Sequence, residues 1–195
     1  MNATPERLDL ADAEVWLHKG VFPPSLAADH FDDLRRQLDW QEATITLFGK
    51  PVKSPRLSAW YGDVPYCYSG LTWPACPWPA ILEPIRDKAE TLAGTSFNGV
   101  LANLYRDGRD SMGWHADDEP ELGPDPVIAS VVFGADRRFV MRHKLDKSRK
   151  IEVPLGNGDL LVMGTGVQTH WMHAVPKTAK TVGARINLTF RHLQV

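Results

Sequence analysis

The chain has 195 residues, 43% of them hydrophobic, 24% charged and 9% aromatic, enough to bury a sizeable core and too apolar for intrinsic disorder. Twenty-two Lys and Arg against 24 Asp and Glu leave a formal net charge of -2, so no global field draws it to nucleic acid and such contact needs a local basic patch. No apolar run approaches the about 18 residues of a membrane helix, no secretory signal is expected, and two cysteines, Cys67 and Cys76, build neither a disulfide framework nor a thiolate zinc site, so a cytoplasmic setting is expected.

Residues 1–20 read as a loosely attached leader, in which Leu8, Leu10, Val15 and Leu17 alternate enough to predict a short strand. Pro23-Pro24-Ser25 opens a helix running to Leu38, with Leu26, Phe31, Leu34 and Leu38 roughly on one face. ATITLFGK predicts a β-hairpin whose turn is Phe48-Gly49-Lys50-Pro51, followed by the strand-like RLSAWYGD. Residues 62–80 are crowded with Gly, Pro and aromatics and predict a long irregular loop, of the kind that often carries function. A second helix fits Pro79 to Leu92, with Ile81, Leu82, Ile85, Ala89 and Leu92 at helical spacing.

Beyond it the pattern turns to β. GVLANLYR, VIASVVFGA, RRFVMRHK, KIEVPL, GDLLVMG, HWMHAVP and RINLTFRHL are seven short apolar runs separated by Gly, Pro or Asp turns, which predicts a sandwich or jelly roll. The fold class expected is therefore α+β, one domain over 1–195 with helices in front and an antiparallel core over about 98–193.

Chemistry concentrates in three places. His115 and Asp117, two apart, share a face if that segment is extended, and His173 lies far downstream. Two imidazoles and a carboxylate are what a facial Fe(II) triad needs, although H-x-D also occurs in surface turns whose Asp caps the backbone. In the last strand Arg185, Asn187, Thr189 and Arg191 share the face opposite Ile186, Leu188 and Phe190. Arginines facing inward would be costly without an anionic partner, and a dicarboxylate such as 2-oxoglutarate would supply one; at a sheet edge they would simply be hydrated. Asn103 and Tyr105 likewise share one strand face, able to bind a carboxylate or to stand half-exposed. From Arg137 to Lys150 seven cations face a single acid, Asp146; by itself such a run is a solvated loop.

NLYRDGRDSMGWHADDE, PVIASVVFGADRRFVMRHK, HWMHAVP and RINLTFR together resemble the AlkB family of Fe(II)/2-oxoglutarate dioxygenases, and most closely its duplex-DNA-repair branch. The resemblance runs from about Phe48 to Arg191. It implies a double-stranded β-helix with a nucleotide-recognition lid over about 40–80, and His115, Asp117 and His173 as ligands of Fe(II). Asn103, Tyr105, Arg185 and Arg191, with Thr189 close by, would bind 2-oxoglutarate, O2 being the other co-substrate. Asp118 would sit near the damaged base. Phe48-Gly49-Lys50 would form a wedge entering the base stack. Pro55-Arg56, Tyr61-Gly62-Asp63 and Tyr66-Cys67-Tyr68 would bring Arg56, Tyr61, Tyr66 and Tyr68 to the substrate, and the basic run would meet phosphates.

Trp60, Tyr68 and Trp114 depart from the branch's usual residues, which bears on the lesion that fits. The implied activity is oxidative demethylation of bases such as 1-methyladenine and 3-methylcytosine in DNA by a monomer, with formaldehyde and succinate released. RNA is an alternative substrate. A catalytically silent lesion-binding module is a second alternative, one that would need neither iron nor 2-oxoglutarate.

Overall fold

The computed structural model describes residues 4–47, 50–68 and 71–194. Its framework is two antiparallel sheets sharing one core. The major sheet runs β1 (Glu6–Leu8), β2 (Val15–His18), β13 (Leu160–Met163), β10 (Ile128–Gly134), β15 (Arg185–Arg191), β8 (Gly99–Tyr105) and β5 (Leu57–Gly62). The minor sheet runs β12 (Lys150–Val153), β11 (Phe139–His143), β14 (Trp171–Val175) and β9 (Met112–His115). This is the expected jelly roll, and all seven predicted strands of the C-terminal half are present.

Strand alternation divides the apolar residues into two clusters. Val15, Leu17, Leu101, Ile128 and Leu161 of the major sheet meet Phe139, Met141, Val153 and Trp171 of the minor sheet in the inner cluster. The outward residues of the major sheet, among them Val100, Val131, Leu188 and Phe190, pack with α1 (Pro24–Gln37) and α2 (Glu83–Ala93) through Leu34, Ile85 and Ala89. Pro24 at the first turn of α1 pre-sets its φ, and Arg35 and Arg36 complement the dipole at its other end. The helices thus brace one face of the sheet whose other face carries the polar residues described below.

Two expectations need correction. The leader is not loosely attached: β1 pairs with β2, and β2 pairs with β13, carrying the fully buried Val15 and Leu17 into the core. Residues 62–80 are not wholly irregular either, because β6 (Tyr66–Tyr68) pairs with β7 (Leu71–Trp73) in a hairpin. β6 and β7, three residues each, leave too few alternations to register as a period. The β3 (Thr44–Leu47) and β4 (Lys50–Lys53) hairpin is where the sequence predicts it, but Phe48 and Gly49 lie outside the described residues. Because β2 belongs to the core, Leu17→Ala is expected to lower stability by about 2–5 kcal/mol, read as a shift in urea midpoint; a loose leader would give almost none.

Candidate metal centre

The inner face of β15 presents Arg185, Asn187, Thr189 and Arg191, each less than a tenth exposed, while Ile186, Leu188 and Phe190 face the helices. Antiparallel register places Arg185 opposite Tyr105 and Asn187 opposite Asn103. It also places Thr189 opposite Ser130, and Ser58 opposite Asn103. A polar band therefore crosses the floor of an otherwise apolar sheet. On the facing sheet His173 lies in register between Met141 and His115, with the register shifting just beyond it.

β9 ends at His115, so Asp117 is not part of a continuous strand. It nevertheless turns inward and is fully buried, held by its backbone N–H donating to Gln168 Oε1 at 2.9 Å. Gln168 belongs to the short α3 (Val167–His170), which opens at Gly166 with φ 80. A Cβ at Gly166 would collide with the carbonyl oxygen of Asp12, so that turn accepts only glycine without rearrangement.

His115, Asp117 and His173 each offer a ligand atom, all within 4.8 Å of one another. The imidazole rings meet edge-on, 4.2 Å between centroids, and Phe139 stacks on His173 at 5.5 Å. His173 Nε2 is 3.7 Å from Asp117 Oδ2. His115 Nδ1, 2.9 Å from the Gly113 carbonyl, is positioned to donate to it, which leaves Nε2 as the lone-pair nitrogen.

Burial, reinforced by His115, pushes His173 down to about 3, and burial lowers His115 as well. Both rings are thus neutral lone-pair donors at neutral pH. Burial opposes ionisation of Asp117, but the Arg191 guanidinium outweighs it and holds the carboxyl well below the usual range. Arg191 Nη2 donates to Asp117 Oδ1 at 2.8 Å, whereas Oδ2 is buried with no hydrogen-bond partner among the described residues. Two neutral imidazoles and an anionic oxygen lacking a donor suit a divalent cation of the 2-His-1-carboxylate type.

Arg185 is fully buried. Its Nη1 donates to the Leu155 carbonyl at 3.1 Å, but Nε and Nη2 have no partner among the described residues, and burial lowers the guanidinium to about 10. An uncompensated buried guanidinium is costly, and a carboxylate is its natural complement. Asn103 Oδ1 accepts from Arg56 Nε at 2.7 Å and from Ser58 Oγ at 3.0 Å, so its NH2 is what it can offer a ligand. Thr189 Oγ1 accepts from Asn187 Nδ2, and Asn187 Oδ1 accepts from Ser130 Oγ. The cavity enclosed here is about 30 Å³, room for an ion, so a dicarboxylate requires lining side chains such as Met112 and Met163 to yield.

Several residues expected at the substrate lie elsewhere. Arg56 is buried beneath Asn103, supporting the floor instead of facing a bound strand. Tyr61 points to the helix side of β5, where its hydroxyl accepts the Asp39 backbone N–H at 2.9 Å; alternation with the inward Trp60 forces this. Tyr66 is fully buried, stacked 4.7 Å from Trp60 with Arg191 5.2 Å over its ring, and is not a rim residue.

Asp118 is largely exposed and paired with Lys144 at 2.9 Å. Lys50 is exposed, and the side chain of Tyr68, like Phe48 and Gly49, lies outside what is described. Of the basic run, Arg137 is buried and donates to the carbonyls of Asp107, Asp110 and Pro176, so it is unavailable to phosphate.

Sequence reasoning overlooked Ser58 and Ser130, which the alternation of their strands could have flagged, and placed Asn187 on the inner face without giving it a role. It also overlooked Gln168 and the partly buried Glu119, whose carboxyl burial and Asp117 push up to about 7; neither has a local signal.

Residues 14–191 match the family described as the 2OG-Fe(II) oxygenase superfamily. The human DNA oxidative demethylase ALKBH2 is 42% identical over 185 residues, covering 89% of this chain and 71% of that protein. The chain belongs to the AlkB family. Another relative, the alpha-ketoglutarate-dependent dioxygenase alkB homolog 3 of Bos taurus, is 42% identical over 170 residues, covering 83% of this chain. The AlkB-family match spans 59% of that bovine protein and 66% of its human counterpart. The solved structure of OsALKBH1 superposes with a TM-score of 0.71 at 17% identity, covering 96% of this chain and 100% of that one, and agrees on the fold.

Proposed function

We propose that this AlkB-family chain is an oxidative demethylase of N-alkylated bases such as 1-methyladenine and 3-methylcytosine in DNA. One juxtaposition carries the reading: a His-Asp-His cluster, His115 partly buried and the other two buried, with a carboxylate oxygen that has no hydrogen-bond partner among the described residues, on a floor holding a fully buried arginine whose Nε and Nη2 also have none among them. A catalytically silent binding module has no use for either. Fe(II), when bound, would supply the coupling of 2-oxoglutarate decarboxylation to oxidation of the N-methyl carbon, which leaves as formaldehyde.

The protein's part is positioning. Arg185, with Tyr105 opposite, receives the distal carboxylate of 2-oxoglutarate, and the Asn103 NH2 turns towards the end nearer the metal. Arg191 orients that end from the other side, by fixing Asp117 so that Oδ2 faces the ion. Phe139 against His173 and Trp60 against Tyr66 keep water from the floor. Asp118 stands near the base, where its charge favours a cationic methylated base over a neutral one, and Lys144 is its counter-ion until that base arrives.

The test is mass spectrometry of a 1-methyladenine oligonucleotide, as DNA and as RNA, incubated with Fe(II), 2-oxoglutarate and ascorbate. Loss of one methylene mass from the DNA, with equimolar succinate and formaldehyde, is the expected result. Conversion of RNA alone would move the substrate, and two intact oligonucleotides would overturn the reading.

A further inference from the structure

The outer face of the minor sheet carries a feature that the metal centre does not use. The alternation that points His115 and His173 inward points Trp114, Val140, Arg142, Lys150 and Ala174 outward. Trp114 is half-buried and lies in β9, the edge strand of that sheet. The Arg142 guanidinium lies over its indole, 4.4 Å from the ring centroid, and the Lys150 ammonium 5.7 Å away. A groove of about 300 Å³ adjoins it, lined among others by Val140, Ala174, Arg138 and Lys177. Arg138 is paired with Glu152, but among the described residues Arg142, Lys150 and Lys177 make no ion pair.

Two cations sharing one indole repel each other, and an exposed cation–π contact offsets only part of that. A ligand that is both flat and anionic satisfies the whole cluster: a base stacks on the indole or guanidinium plane while its phosphates lie against the ammonium groups. An acidic peptide would answer the charges but add no plane to the stack that Arg142 begins on the indole. We propose that Trp114, with Arg142 and Lys150, is a stacking site for an unpaired nucleobase of the substrate strand, a few nucleotides from the one at the metal centre.

The site rests on the nucleic-acid reading above. Trp114 and His115 are neighbours on opposite faces of one strand, so a chain crossing the sheet edge reaches both. It also selects the partner. A single strand has free base faces to offer, whereas in a duplex they are already stacked on one another.

The experiment is fluorescence anisotropy of a labelled, unmodified oligodeoxythymidine of about ten nucleotides, beside a duplex of equal length. Trp114→Ala is expected to raise the single-strand Kd about tenfold, as loss of one base–aromatic stack does, and to change the duplex Kd less than about twofold. Arg142→Gln and Lys150→Gln are each expected to reduce the slope of log Kd against log salt by about 0.7, one phosphate contact apiece.

Because Trp114 adjoins His115, Co(II) binding checks that the variant is intact. If it is not, Trp114→Phe against Trp114→Leu decides, since both keep apolar bulk and only Phe keeps a stacking plane. Equal Kd for those two, or equal losses on single strand and duplex, would overturn the proposal. A wild-type protein that demethylates the 1-methyladenine oligonucleotide of the activity test while every variant at position 114 binds oligodeoxythymidine alike would overturn this site only. A wild-type protein that neither binds nor converts nucleic acid would remove the function as well.

Discussion

Asp117→Ala is expected to abolish metal binding and, separately, to destabilise the metal-free protein by about 3–5 kcal/mol. The second effect follows from Arg191. It is 2% exposed, its one anionic partner among the described residues is Asp117 Oδ1 at 2.8 Å, and removing that partner leaves a guanidinium buried beside two imidazoles. Combining Asp117→Ala with Arg191→Met removes the stranded charge and is expected to restore most of the stability while metal binding stays lost. Urea midpoints of the two variants, with Co(II) titrations alongside, separate the effects. An Asp117→Ala protein of unchanged stability would mean that Arg191 finds water or another acceptor, and one still binding Co(II) would mean that Asp117 is not a ligand.

Arg185→Met is expected to give the opposite balance. Arg185 is fully buried with Nε and Nη2 unpartnered among the described residues, so in the absence of co-substrate it is a cost to the fold. An apolar side chain of similar length is expected to leave stability unchanged or raise it by about 1–4 kcal/mol, the range seen when buried charges are replaced by well-packed apolar groups. The KM for 2-oxoglutarate is expected to rise about 30-fold or more, since truncating one partner of a buried charge pair costs about 2–5 kcal/mol. A variant both less stable and unchanged in KM would show that Arg185 serves the Leu155 carbonyl and not a ligand. The two arginines of one strand thus play opposite parts: Arg191 is compensated within the protein, and Arg185 waits for compensation from outside.

Much of this was legible in the sequence because β-strands write their burial with period two. RINLTFR separates its polar inner face from its apolar outer face residue by residue, and the H-x-D pair with a remote histidine marks the ligands wherever the chain brings them together. What escaped falls into two kinds. Tyr61 was misplaced although the alternation of LSAWYG, with Trp60 inward, already sends it to the helix side; there a family motif outweighed the local pattern. Gln168 gave no signal at all, and Arg56 was named only as a substrate residue, not as a support of Asn103. Each acts on a group 51 or 47 residues away, Asp117 and Asn103 respectively, and such a pairing exists only once the sheets have closed. The leader's short strand was legible, and β2 bears it out; what was missed is its attachment, because the pairing of β2 with β13 likewise exists only once the sheet has closed.

The pairing of Asp117 with Arg191 spans 74 residues, and that separation has a consequence for how the protein is made. β15 is the final strand of the described fold to leave the ribosome, and until it docks Asp117 has no guanidinium to set its orientation. The histidine and aspartate of β9 and the turn after it are synthesised long before, yet they stand as loose donors on an unfinished sheet. The carboxylate is therefore aligned only in the completed barrel, by the same strand that closes the floor beneath it.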